Sequence, residues 1–335
     1  MTERLFWPDA VKGICMILVF YNHVQGLYAL PGERVQHFID PFFVNAFFFI
    51  TGYFFLYRQW NAPVVNEHRS EYWHSYGKRQ VLNVLFRLII PSILFSLLTV
   101  FPKVVLKSHG EVGAYFMYKS FGGGSYWFVS ALVSAYVLLL IPLFLRIRKV
   151  AFYVGYAVVC AGLGAYLNDY FLPWHFDKGL LVVVFIVAGG LFHYVSDAFF
   201  RLKWWWLVLP MGLYAMATLF LYEELDIHCK GSIGDYNLIG YVVSILGSLL
   251  LTWFCFRLPH SRGLSYIGHH SILFYFFSGA VPYMVVRFVG GWFPRSELWF
   301  WAFFAVSLFA VWGVVYVIYR WFPWMVDIRK LRVAR

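Results

Sequence analysis

The chain has 335 residues, 61% of them hydrophobic and 23% aromatic, with only 13% charged, whereas soluble domains carry about 25% charged residues. That balance excludes a water-soluble globular protein and defines an all-α, polytopic membrane protein. The formal charge of +11 does not point to nucleic acid: the Lys and Arg residues sit in short loops between apolar runs, as orientation signals do, with no nucleic-acid-binding motif around them.

Runs of roughly 18 to 24 apolar residues cross a hydrocarbon core about 30 Å thick. About ten such runs are predicted, at 8–30, 38–58, 84–106, 126–146, 150–168, 178–195, 204–222, 237–256, 264–288 and 297–320. The first carries Asp9, Lys12 and His23. At about 100° and 1.5 Å per residue, the step from Lys12 to His23 returns to within about 20° of the same face, about 16 Å further along the axis. Asp9 precedes Lys12 by one turn, close to the same stripe. Ionisable groups inside a membrane are costly unless they face protein or water, so this stripe marks a functional site. The competing reading has Asp9 and Lys12 snorkelling to the headgroups and His23 packed as a structural residue. Arg4 ahead of an apolar run looks like a signal peptide. The charges within the run and the lack of a small-x-small site after it make it an uncleaved first helix.

Asn22, beside His23, is either a helix-polar contact or a hydrogen-bonding group of the site. In the second run, Gly52 is a small residue suited to close helix packing. The third holds Arg87 two turns inside, after Lys78 and Arg79, and Pro91 and Pro102 predict a kink. Trp127 follows Gly122-Gly123-Gly124-Ser125, where an interface anchor and a substrate-lining role are both open. His269 and His270 fall early in the ninth run. The four cysteines, Cys15, Cys160, Cys229 and Cys255, have neither disulfide-framework nor zinc spacing, and no metal is expected. No linker or repeat divides the chain, so residues 1–335 are read as one integral-membrane domain. With the N-terminus in the cytoplasm, that side carries about twice as many Lys and Arg as the other. The positive-inside rule and an even helix count then put both termini there. Asp9 and Lys12 lie at the inner mouth, His23 deeper, and the acidic loop of Glu223, Glu224, Asp226 and Asp235 outside.

In order, Asp9-x-x-Lys12-Gly13, His23 and Phe49-Ile50-Thr51-Gly52-Tyr53 resemble the opening of the integral-membrane acyltransferase-3 family, in its fucose 4-O-acetylase-like and surface-polysaccharide O-acyltransferase branch. The family's first-helix signature is a basic residue, ten intervening residues and a His; Lys12 stands here for the commoner Arg. Lys78-Arg79 with Arg87-Leu88-Ile89-Ile90-Pro91, Tyr126-Trp127-Phe128-Val129-Ser130-Ala131-Leu132, and Ser265-Tyr266-Ile267-Gly268-His269-His270-Ser271-Ile272 through Tyr275 are similar to later family segments. The resemblance runs from about residue 5 to 320. One departure is that many members carry a His a few residues after that Tyr, where Ser278 stands here.

The resemblance implies transfer of an acyl group, usually acetyl from acetyl-CoA, to a hydroxyl of a cell-envelope polysaccharide or lipid-linked glycan, in a bacterial inner membrane. His23 would serve as general base or as covalent acyl relay. Lys12, Arg79 and Arg87 suit the donor's phosphates, Trp127 and Asn22 the acceptor, and Asp9 an orienting role. Asp9 is about 21 Å from His23 along the helix, so Lys12 or Arg79 is its expected direct partner. Two rival readings are a transporter or flippase for a lipid-linked glycan, with the stripe as its path, and a catalytically inactive sensor or assembly subunit.

Overall fold

The computed structural model describes residues 5–28, 33–60, 77–106, 112–145, 147–168, 170, 172–225, 227, 237–327 and 329. Its described residues are helical and contain no strand. This follows from the solvent, because in hydrocarbon every backbone N–H and C=O must be satisfied within the segment itself. In chain order the helices are α1 (Phe6–Tyr28), α2 (Glu33–Phe43), α3 (Asn45–Trp60), α4 (Lys78–Val84), α5 (Ile90–Leu106), α6 (Val112–Phe121), α7 (Trp127–Phe144), α8 (Val150–Leu167), α9 (Phe176–Phe200), α10 (Val208–Leu219), α11 (Leu238–Arg257), α12 (Arg262–His269), α13 (Ser271–Ser278), α14 (Ala280–Phe288) and α15 (Glu297–Trp321). Among the described residues, nine helical stretches are long and apolar enough to cross a membrane. Large apolar side chains such as Val158, Leu238 and Phe309 are well exposed, as lipid-facing residues are.

Three expectations change in detail. The run at 204–222 is a shorter apolar helix, Trp204–Leu219, opened by the exposed Trp204, Trp205 and Trp206, whose indoles suit a membrane–water interface. The third run is helical throughout, but a π-turn at Leu85–Ile89 joins α4 to α5. Pro91 lacks the N–H that would bond the Arg87 carbonyl and its ring crowds that carbonyl, so the helix widens just before it. The run at 264–288 is three pieces rather than one helix. It breaks at His270 (φ −102°, ψ 14°) and again at Gly279, next to the Ser278 carbonyl that Pro282 cannot serve.

Contacts divide the chain into two compact units, residues 1–51 with 192–317 and residues 52–191 with 318–335. In the first, α1 is the central helix and packs against α2, α11, α12, α13 and α14. Its crossing with α12 is backbone on backbone. A Cβ added to Gly13 would lie 2.7 Å from the Leu264 carbonyl oxygen, and one on Gly268 would run into the Asp9 carbonyl. At its far end, the Tyr28 hydroxyl donates to the Pro294 carbonyl (3.0 Å) and accepts from the Ser296 N–H (3.1 Å). Val24 and Tyr28 pack there with Phe300 and Phe303.

In the second unit α7 is buried nearly all round. A Cβ on Gly52 would meet the Ile186 backbone, the close packing expected of that glycine. Cys15, Cys160 and Cys255 are buried free thiols; Cys229 and, of the acidic loop, Asp226 and Asp235 lie outside the described residues.

Candidate active site

Helix α1 runs unbroken from Phe6 to Tyr28, so the three-turn relation between Lys12 and His23 holds in the structure. At its start, the Lys12 ammonium lies 3.2 Å from the Asp9 carboxylate, whose side chain is only 6% exposed against 26% for Lys12. The glycine crossing explains why that carboxylate is buried. With Gly13 and Gly268 bringing α12 onto the α1 backbone, the first turn of α1 lies against protein, and its charge needs a countercharge within reach. Lys12, one turn on, supplies it. Arg79, the other partner considered for Asp9, is an exposed residue of α4 in the second unit.

Eleven residues along, His23 is exposed, and its Cε1 lies 3.9 Å from where a Cβ on Gly279 would stand. The absence of a side chain at the α13–α14 break therefore leaves open space on one side of the imidazole. Ser278, where the resemblance leads one to expect a His, is 1% exposed and turns its hydroxyl back to the Tyr275 carbonyl (2.9 Å). Asn22 is half-buried and accepts a hydrogen bond from Gln36 Nε2 of α2 (3.1 Å).

The second unit holds Arg87 and Trp127. Arg87 lies in the π-turn, its side chain 64% exposed, with Nε donating to Asp327 Oδ2 at 3.2 Å. Asp327 also accepts from Arg329 Nη2 (2.7 Å) and Nε (2.8 Å), while Arg329 Nη1 donates to Asn83 Oδ1 (3.0 Å). The Arg329 hydrogen bonds, with help from Arg87, hold the Asp327 carboxyl down at about 2.

Trp127 opens α7 after the glycine loop, which is clasped from two sides. Ser130 Oγ donates to the Gly123 carbonyl (2.7 Å) and Trp174 N to that of Gly122 (2.8 Å). Ser134 Oγ in turn donates to the Trp174 carbonyl (2.8 Å). Gly123 has φ +78°, and the consecutive residues Trp174 and His175 also have positive φ, 56° and 47°, a strained pairing for residues with a Cβ. The half-buried Trp127 is thus carried on a rigid support.

The spacing of the sequence identified the Asp9–Lys12 pair and the His23 stripe. It missed Gly13 and Gly268 as a crossing pair, Gly279 as the neighbour of His23, and Asp327 as the partner of Arg87. The glycines were visible inside the motifs, but their function appears only when two helices meet. Asp327 stands 240 positions from Arg87, and nothing local links them. Among the described residues, no group of three His, Cys, Asp or Glu side chains is placed to hold a metal ion.

The described residues thus form a many-helix membrane protein whose first helix carries an ion pair and, three turns on, an open imidazole. The family model described as an acyltransferase domain matches residues 5–320. The chain belongs to this acyltransferase-3 family and is a multi-pass membrane acyltransferase. No curated protein and no solved structure matches it.

Proposed function

We propose that the protein moves an acyl group, acetyl in the simplest case, from acyl-CoA to a hydroxyl of a cell-envelope polysaccharide or lipid-linked glycan, with His23 at the reacting centre. The observation that carries this reading is the exposed imidazole on the central membrane helix, beside Gly279 and three turns from the Asp9–Lys12 pair. Acting as general base, His23 takes the proton of the acceptor hydroxyl as its oxygen attacks the thioester carbonyl. The C–S bond breaks, and the proton passes to the departing thiolate, giving CoA and an ester. Acting as relay, the imidazole nitrogen attacks the thioester carbonyl, the C–S bond breaks and CoA leaves as the thiol with the proton the ring gives up; the sugar hydroxyl then attacks the acyl-imidazole, its oxygen taking the acyl group as the C–N bond breaks and its proton returning to the ring. Lys12, Arg79 and Arg87 are proposed for the donor's phosphates, for which guanidinium forks are suited. Trp127 and Asn22 are proposed for the acceptor, and Asp9 sets the position of Lys12. We propose that both termini lie in the cytoplasm of a bacterial inner membrane, with the donor entering from the side of Asp9 and Lys12.

The test is membranes incubated with labelled acetyl-CoA. The wild-type protein is expected to leave label on glycan, and His23→Ala to lower transfer by about 10²–10⁴-fold, the usual contribution of a positioned His, at unchanged expression. Transfer at the wild-type rate by His23→Ala would end the role given to His23. Label on the protein in the absence of acceptor separates relay from general base. Arg87→Leu is expected to weaken CoA binding; unaltered affinity removes Arg87 from the donor site.

A further inference from the structure

Beside the first turn of α1 the structure contains a cavity of about 410 Å³, lined by Leu5, Phe6, Asp9, His260, Arg262, Ser265, Tyr266, His269 and His270. It lies wholly within the first unit, and its size is that of sites for small organic ligands, about 300–1,000 Å³. Of its lining residues only Asp9 has a part in the acyl-transfer chemistry above. The cavity exists because α12 is a separate short helix. Ser261 caps its start by accepting from Leu264 N (3.4 Å), the break at His270 ends it, and the Gly268 crossing clamps it on α1. The residues around both ends of α12 are thereby gathered at one opening between two membrane-crossing stretches, Leu238–Arg257 and Ser271–Trp292.

The lining has a definite chemistry. Arg262, exposed at the start of α12, brings a guanidinium fork, and His260, His269 and His270 bring three imidazoles. The carboxylate of Asp9 also faces the cavity, but Lys12 balances its charge at 3.2 Å. The surplus is therefore positive and rich in N–H donors.

The rings are held in place. His260 lies 4.8 Å from the Phe6 ring and His269 4.5 Å from His270, while Tyr266 stacks on Trp312 at 5.3 Å and 9°. The Tyr266 hydroxyl is buried with no hydrogen-bond partner among the described residues, so it is a donor kept from water in the wall of the cavity. Half-exposed Leu5 and Phe6 make one side apolar. One guanidinium with imidazole and hydroxyl donors beside an apolar edge fits a phosphate carried on a larger organic body.

We infer that this cavity is a phosphate-binding site, with Arg262 and His269 as its principal donors. The phosphate comes either from an anionic phospholipid headgroup or from the nucleotide end of acyl-CoA. Only the second source rests on the donor reading above.

The test uses the full-length protein in phosphatidylcholine nanodiscs. CoA and adenosine 3′,5′-bisphosphate are titrated by calorimetry, and retention of phosphatidylglycerol is read by native mass spectrometry. Arg262→Gln is expected to weaken one of these probes about tenfold, the loss of one charge-assisted contact, and Arg262→Lys to restore part of it. Weakened CoA and bisphosphate identify the nucleotide as the source; weakened phosphatidylglycerol identifies the lipid. Should Arg262→Gln not give a monodisperse protein, His269→Gln reads the same contact. If neither substitution alters any probe, the site is refuted. Wild-type protein that binds no CoA would sink the acyl-CoA reading while the lipid arm still tested the cavity.

Discussion

Lys12 and Arg87, both within membrane-crossing stretches, are neutralised in different ways. Lys12 takes the carboxylate of Asp9, one turn away on the same helix. Arg87 takes that of Asp327, which lies beyond the last membrane helix. The first pair is set by helical geometry alone and exists once α1 forms. The second requires the C-terminal segment to return to the π-turn of the third run, and there Asp327 is shared with Arg329. The first is also the more buried, with side chains 26% and 6% exposed against 64% and 9%. A local, buried pair and a distant, exposed one differ in cost when broken. A desolvated charge stripped of its partner is expensive, whereas an exposed pair is screened and worth little.

The largest expected effect tests what buries the first pair. Gly268→Val places side-chain atoms where the Asp9 backbone stands, so α1 and α12 can no longer meet. Loss of monodisperse folded protein in detergent is expected; a normal elution profile and melting curve would show that the crossing is not required. Next is Lys12→Met, which removes the ammonium beside a buried carboxylate. We expect a loss of about 3 kcal/mol, read as a fall in thermal midpoint, with Asp9→Asn in the same chain recovering part of it. Arg87→Met should cost less than about 1 kcal/mol of stability, because Asp327 keeps Arg329. A larger loss than for Lys12→Met would invert the comparison.

The smallest effect is in the acid range. Asp327 has its carboxyl lowered from 3.8 to about 2. Its contribution is therefore present above pH 3.8 and is lost as pH falls through about 2. Asp327→Asn should flatten that limb by lowering the melting temperature above pH 3.8, with the variant and wild-type curves meeting as pH falls through about 2.

The helical class, the membrane setting and the Asp9–Lys12–His23 stripe were legible in the sequence, because each depends on composition or on spacing within one helix. The breaks inside the ninth run were not legible there. Its apolar content is helix-like throughout, and the breaks at His270 and Gly279 are backbone events with weak local signals, of which only Pro282 could have been read. Arg87 was read as a cation two turns inside a membrane run, whereas its side chain is mostly exposed; its partner was out of reach of any pattern, since hydropathy does not encode which distant loop returns to a given helix.

By itself, then, the sequence determined that this chain must form membrane helices and that one of them carries ionisable groups along a single face. Apolar length and the 3.6-residue repeat act within a segment and need nothing else. Only the tertiary structure decided that Gly13 and Gly268 meet, that Gly279 stands beside the His23 ring, that Asp327 answers Arg87, and that three histidines and Arg262 surround one cavity. Each of these depends on the approach of two backbones far apart in the chain, and that approach is set by packing.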